Sequence, residues 1–338
     1  MLYLNTRNRA DSFTSHRVLY EQFAPDGGLF VPFRLPIMSD TEIRIILQKS
    51  FGDCVSHIVN VFFGCELSGH DLNLLVGSHP ARLNMMPHRI VIAELWHNAE
   101  SDYSFIENHI YQRLCRDKTG VATDWAKIAI RISVLFGLFA ELGRNGVHAC
   151  DIAVPSGDFS LPIAAWYARK MGLKIGNIIC GCNENSGTWD LIHRGELNLG
   201  SSVIHTHLPA LDYAYPVSAE RLIYETLGLN EAQRYADLCS KRSIYMLDEL
   251  ALSKINDGIS VAVVSSRRTD SVIMSLYRSN GYIADGYTAV AYAALQDYRA
   301  STGESRTTLL LSDSSPVLSD VRVAKNIGLS IEELRRKL

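Results

Sequence analysis

From residue 125 onward, apolar positions alternate between a helical and a strand period. Trp125, Ile128, Ile132, Leu135 and Phe139 recur at helical spacing and predict a core helix over 125–142. Short apolar strands are predicted at 151–154, 177–182, 259–265 and 307–311, interleaved with helices at 161–171, 271–279 and 289–298. Pro162 falls in the first turn of the 161–171 helix, where a missing N–H costs least. Ser330-Ile-Glu-Glu333 has the capping-box pattern and opens a last helix. Strands alternating with helices imply an α/β fold with a mostly parallel, covered sheet. The first ninety residues read as a small mixed domain. Phe23-Ala-Pro-Asp-Gly-Gly-Leu-Phe-Val-Pro32 is turn chemistry followed by a short apolar strand, and Ser39-Asp-Thr-Glu42 caps a helix running toward Phe51. A buried strand is predicted at 89–95 and a helix at 106–114.

Composition narrows the function classes. The 338 residues carry 33 Lys+Arg against 36 Asp+Glu, a net charge of −3, with 47% apolar and 20% charged positions. Those values exclude a disordered, collagen-like or small disulfide-scaffold chain. Near-neutral charge argues against a nucleic-acid partner. Seven cysteines, an odd number with no framework spacing, read as buried reduced thiols of a cytoplasmic protein. Residues 1–36 are polar and broken by Gly and Pro, unlike a secretory signal. The most apolar run, 125–142, contains Lys127, Arg131 and Glu141, so no membrane partner is expected.

Val154-Pro-Ser-Gly-Asp-Phe159 lies between a predicted strand and helix, where open α/β sheets bind ligands. Its free N–H groups suit an anion, but taken alone the signal is weak, and a plain turn with Asp158 or Ser160 as N-cap is the better reading. Other signals are weaker. His205 and His207 would share one face of a strand, but no third ligand follows, so no metal is expected. His97 reads as a hydrogen-bonded core histidine near Asp102. Ser104 and His109, five apart, do not share a helix face. Arg267-Arg268 is either an anion contact or a solvated helix start.

Several segments carry a resemblance when taken in order. Asn5-Thr-Arg7, Ser12-Phe13 and Ala24-Pro-Asp-Gly-Gly-Leu-Phe-Val-Pro32 form an N-terminal signature; Glu94-Leu-Trp-His97, Asp124-Trp-Ala-Lys-Ile128, Val154-Pro-Ser-Gly-Asp-Phe159 and Ala289-Val-Ala-Tyr292 follow. Together they resemble threonine synthase, a fold-type II enzyme using pyridoxal phosphate (PLP), with its ELFHGPT, NWARI, VPSGNF and EPHAAVAY segments. The resemblance implies an N-terminal domain over 1–92. It further implies a fold-type II (tryptophan synthase beta-like) core over 93–338, shortened because the small cofactor subdomain is largely deleted. An ungapped count from Glu94 puts Ser104 where the family has its PLP lysine, and serine cannot form an imine. From Ser104 to Asp124 is twenty positions, too few for the family's strand–loop–helix phosphate cradle, since a βαβ unit needs roughly 30 residues. Lys127 stands at the arginine of NWARI, Asp158 at the asparagine of VPSGNF, Asp285 at the start of EPH, and Asp313 at a hydroxyl position beside the pyridine nitrogen.

The expectation is therefore a pseudoenzyme without covalent PLP, acting through binding or assembly. Its ligand-pocket candidates are Ser156, Gly157, Asp158, Lys127, Asp285 and Asp313, with a small molecule or protein as partner and homo-oligomerisation to cover apolar surface. The alternatives are PLP-independent chemistry in the same crevice, or a PLP lyase with a relocated lysine such as Lys127.

Overall fold

The computed structural model describes residues 1–76, 81–96, 104–115 and 122–338, and the side chains among them except those of 74–76 and 104–106. An antiparallel three-stranded sheet, order β2-β1-β3, opens the chain: β1 Leu2–Asn5, β2 Phe13–Thr14 and β3 Phe30–Pro32. The central sheet has six strands: β4 Arg82–Met86, β5 Ile90–Glu94, β6 Cys150–Pro155, β7 Ile175–Cys182, β10 Ile259–Val263 and β11 Thr308–Ser312. Their spatial order is β10-β7-β6-β11-β5-β4, parallel throughout except for the β4–β5 hairpin. A two-stranded ribbon pairs β8 Glu196–Asn198 with β9 Ile244–Met246.

Alternation along these strands builds two cores. Val91, Ala93, Ile152, Val154, Ile178, Cys180, Leu309 and Leu311 face one side, under helices Phe51–Phe63, Asp124–Arg144 and Ser160–Met171. Ile90, Ile92, Ala153, Ile179 and Leu310 face the other, under helices Ser266–Asn280, Gly286–Thr302 and Asp320–Ile327. The fold is thus α/β with a mostly parallel sheet covered on both faces. Among the described residues, no helix is long and apolar enough to cross a membrane. All seven cysteines are free, and burial pushes the Cys182 thiol up to about 12.

Two expectations shift. The boundary at residue 92 falls inside β5, whose side chains enter both cores, so the central sheet already begins at β4. The N-terminal lobe also has no separate core. Trp125 sits with Tyr3, Phe62 and Tyr167 at ring centroid separations of 5.6, 5.8 and 5.7 Å.

Buried charge ties the lobe to the rest of the molecule. Arg221 is fully buried; it pairs with Asp124, donates from Nε to the Phe30 carbonyl at 2.9 Å, and lies over the Trp125 ring. Next to it, Glu220 receives the Thr6 hydroxyl and two Arg7 nitrogens, at 3.1 and 2.8 Å. Removing one partner of such a pair strands the other charge, at a cost of about 3–5 kcal/mol. Urea denaturation of Arg221→Met should show a loss of that order, partly recovered in the double variant with Asp124→Leu. A single variant as stable as the wild type would refute this role for the pair.

Candidate active-site crevice

The crevice lies at the carboxyl ends of β6 and β11. Beyond Pro155 the chain turns sharply: Gly157 takes φ 47°, and an added Cβ there would stand 3.1 Å from the Ala210 carbonyl. Phe159 follows at φ 71° and is fully buried, and this burial fixes the entry into helix Ser160–Met171. The Ser156 N–H donates to the Gly181 carbonyl at 2.8 Å, and the Ser218 N–H to the Asp158 carbonyl at 2.9 Å. The loop is therefore held by β7 and by the segment before helix Ala219–Leu227.

Helix Asp124–Arg144 supplies the opposite wall. Lys127 and Arg131 are four apart and project together. Lys127 Nζ donates to Asp158 Oδ2 at 2.9 Å. The other carboxylate oxygen of Asp158 accepts the Ser160 N–H at 2.9 Å and the Ser160 hydroxyl. Arg131 donates from Nη1 to Ser160 Oγ at 2.7 Å and from Nε to Glu107 Oε2 at 3.0 Å. Burial alone would raise the Asp158 pKa, but the charges of Lys127 and Arg131, with hydrogen bonds from Lys127 and Ser160, bring it down to about 2. Burial likewise disfavours charge on Arg131, and Glu107, Asp313 and Asp158 together outweigh it.

The crevice has a volume of about 260 Å³ and is also lined by Leu211, Tyr213 and Tyr287. Among the described residues its walls carry two cations, Lys127 and Arg131, and two carboxylates, Asp158 and Asp313. With Glu107 bound behind Arg131, the cavity's positive charge is matched by the chain's own acids.

A match to the model "Threonine synthase N terminus" covers residues 2–78. Threonine synthase of Pseudomonas aeruginosa is 28% identical over 195 residues, 55% of this chain and 40% of that protein. Human "Threonine synthase-like 1" is 24% identical over 215 residues, 57% of this chain and 29% of that one. Among solved structures, threonine synthases from yeast and Brucella melitensis superpose with TM-scores of 0.82 and 0.81, at 17% and 18% identity. They cover 98% and 97% of this chain, and 91% and 92% of their own. The N-terminal segment matches the threonine synthase N-terminal model, and the chain as a whole has the threonine synthase fold. The matched segments span less than half the length of the curated relatives, and the structural likeness carries the fold.

Of the family-derived positions, Ser156, Gly157, Asp158, Lys127 and Asp313 line one cavity. Asp285 does not. It is buried as the N-cap of helix Gly286–Thr302, accepting from the N–H groups of Tyr287 and Thr288 at 2.7 and 3.1 Å and from the Thr288 hydroxyl; its neighbour Tyr287 reaches the cavity instead. Ser104 begins helix Ser104–Leu114, but its side chain lies outside the described residues, as do His97, Asp102 and Tyr103. His205 and His207 are not on a strand: their segment is irregular and Thr206 is tied to Asp212, and no metal-ligating cluster occurs among the described residues. Arg268 forms a two-pronged pair with Asp297 at 2.6 Å, and the helix start beside it already receives Glu184. Arg131 was legible as the i+4 partner of Lys127; Glu107, Tyr213 and Tyr287 carried no local signal.

The depressed Asp158 pKa fixes a pH dependence. Its ordinary value is about 3.9, so its pairing contributes stability above that pH and loses it as pH falls toward the folded value of about 2. Asp158→Asn should therefore cost about 2 kcal/mol at neutral pH. In denaturation curves the gap between variant and wild type should close between about pH 4 and about pH 2. A gap that stays constant across this window would contradict the assignment.

Proposed function

We propose that this chain is a threonine-synthase homologue that does not hold PLP covalently and works by binding, with a small molecule in the crevice or a protein against it, in a homo-oligomer. The observation that carries the reading is the Asp158 carboxylate. It takes up the Ser160 donors at the start of helix Ser160–Met171 and pairs with Lys127, the lysine among the lining residues described. A phosphate placed there would have to displace an ionised acid from its partners and then face its charge. These residues do not fit the phosphorylated cofactor.

Two further features support the reading. Serine at position 104 offers no amine for an imine. Only twenty positions separate Ser104 from Asp124, too few for a phosphate-cradling strand–loop–helix unit, since a βαβ unit needs roughly 30 residues.

The test is direct. Purified protein mixed with PLP and treated with borohydride should show no stoichiometric pyridoxyl adduct by peptide mass spectrometry, and no visible imine band before reduction. A single saturating adduct on Lys127 would overturn the proposal in favour of an enzyme with a relocated lysine.

A further inference from the structure

A second cleft lies at the opposite end of the central sheet, beneath the amino ends of β5 and β11. It measures about 490 Å³, and its walls are formed by the β4–β5 turn, the last turns of helix Gly286–Thr302 and Ser305. No carboxylate lines it among the described residues, while His88, Arg89 and Arg299 do. Its other walls are Ile90, Tyr292 and Leu295. The described lining of the upper crevice, by contrast, sets two carboxylates against its two cations.

The arginines here have neutral neighbours. Arg299 donates only to neutral oxygens: the carbonyls of His88 and Arg306 at 2.8 and 2.9 Å, and the Thr308 hydroxyl at 3.0 Å. It forms no ion pair among the described residues. The acid whose field reaches it, Asp151, is engaged by Arg306 at 3.4 Å and by the Asn177 N–H at 2.7 Å. Arg299 thus keeps its charge, against the cost of partial burial, with no carboxylate beside it.

The turn itself is costly for its residues. His88 and Arg89 stand consecutively at φ 60° and 58°, in the left-handed region that favours glycine. Thr308 N–H holds the Arg89 carbonyl at 2.9 Å, so the backbone conformation is locked. Glycine would meet that requirement more cheaply. The arginine side chain makes no hydrogen bond or ion pair among the described residues that would repay the difference within the fold.

We propose that this basic cleft binds a small organic anion, a carboxylate or phosphate on an apolar body, with Arg89 and Arg299 taking the charge and Ile90, Tyr292 and Leu295 the body. Arginine suits either anion through paired N–H donors, and the volume is that of a small-molecule site.

Calorimetric titration with phenyl phosphate, benzoate and inorganic phosphate tests this. Phenyl phosphate, benzoate or both should bind saturably at one site, and whichever binds identifies the headgroup; inorganic phosphate should bind at least about tenfold more weakly, lacking the apolar body. Arg89→Gly should weaken the organic anion about tenfold while its unfolding midpoint stays at or above wild type. His88→Gly gives the same relief of the turn with Arg89 retained, and should keep most of the affinity. Lys127→Ala, in the upper crevice, should bind as the wild type does. The proposal fails if neither organic anion saturates, if Arg89→Gly binds unchanged, or if Lys127→Ala abolishes binding. It also fails if Arg89→Gly lowers the unfolding midpoint without touching affinity, since the arginine would then serve only the turn.

Discussion

Asp158 is clamped between Lys127 and the first turn of helix Ser160–Met171, and its charge faces the crevice. Two unit charges 4 Å apart interact by about 4 kcal/mol at the effective dielectric of a protein near its surface. An incoming anion would lose that much to Asp158 and would find Lys127 already engaged. The amide that the family motif VPSGNF carries at this position would leave both the ammonium and the helix donors open to a ligand. With a carboxylate oxygen in place of that amide nitrogen, this wall of the crevice is neutralised from within the chain.

The crevice sits on a mechanical frame within the molecule. Asn5 Oδ1 caps its own turn by accepting from the N–H groups of Arg7 and Asn8 at 2.7 Å each, while Thr6 and Arg7 grip Glu220. Arg221 then reaches Asp124 at the head of the helix that carries Lys127 and Arg131. The segments that most resemble the family thus do fold work. They set the angle of the central helix against the sheet, and so place two cations over the Ser156–Asp158 loop.

Much of this arrangement was legible because alternation on a doubly covered strand is unambiguous. Ile152 and Val154 against Ala153, and Leu309 and Leu311 against Leu310, assign each side chain to a core. β4 was not legible: Arg82-Leu-Asn-Met-Met86 is a half-exposed edge strand, with too little apolar contrast for a period of two to show. Asp285 was misplaced for a different reason. Alignment put it at a pocket position, whereas Asp followed by Gly, Tyr and Thr at a helix start is also a capping signature, and capping is what the buried carboxylate does. The Leu208–Tyr213 segment that roofs the crevice arrives from far along the chain, which no local pattern announces.

The two ends of the sheet now differ in the kind of charge they leave unmet. At the carboxyl end, Lys127 and Arg131, the cations among the described lining residues, each have an acid of the same chain within hydrogen-bonding distance. At the amino end, Arg299 is satisfied only by neutral oxygens and Arg89 is held in a left-handed turn. Parallel strands normally concentrate ligand chemistry at their carboxyl ends, where loops are free to vary. When internal carboxylates fill that end, unmet positive charge elsewhere becomes the stronger pointer to a ligand, because a charge kept partly buried without a counter-ion is costly for the fold alone.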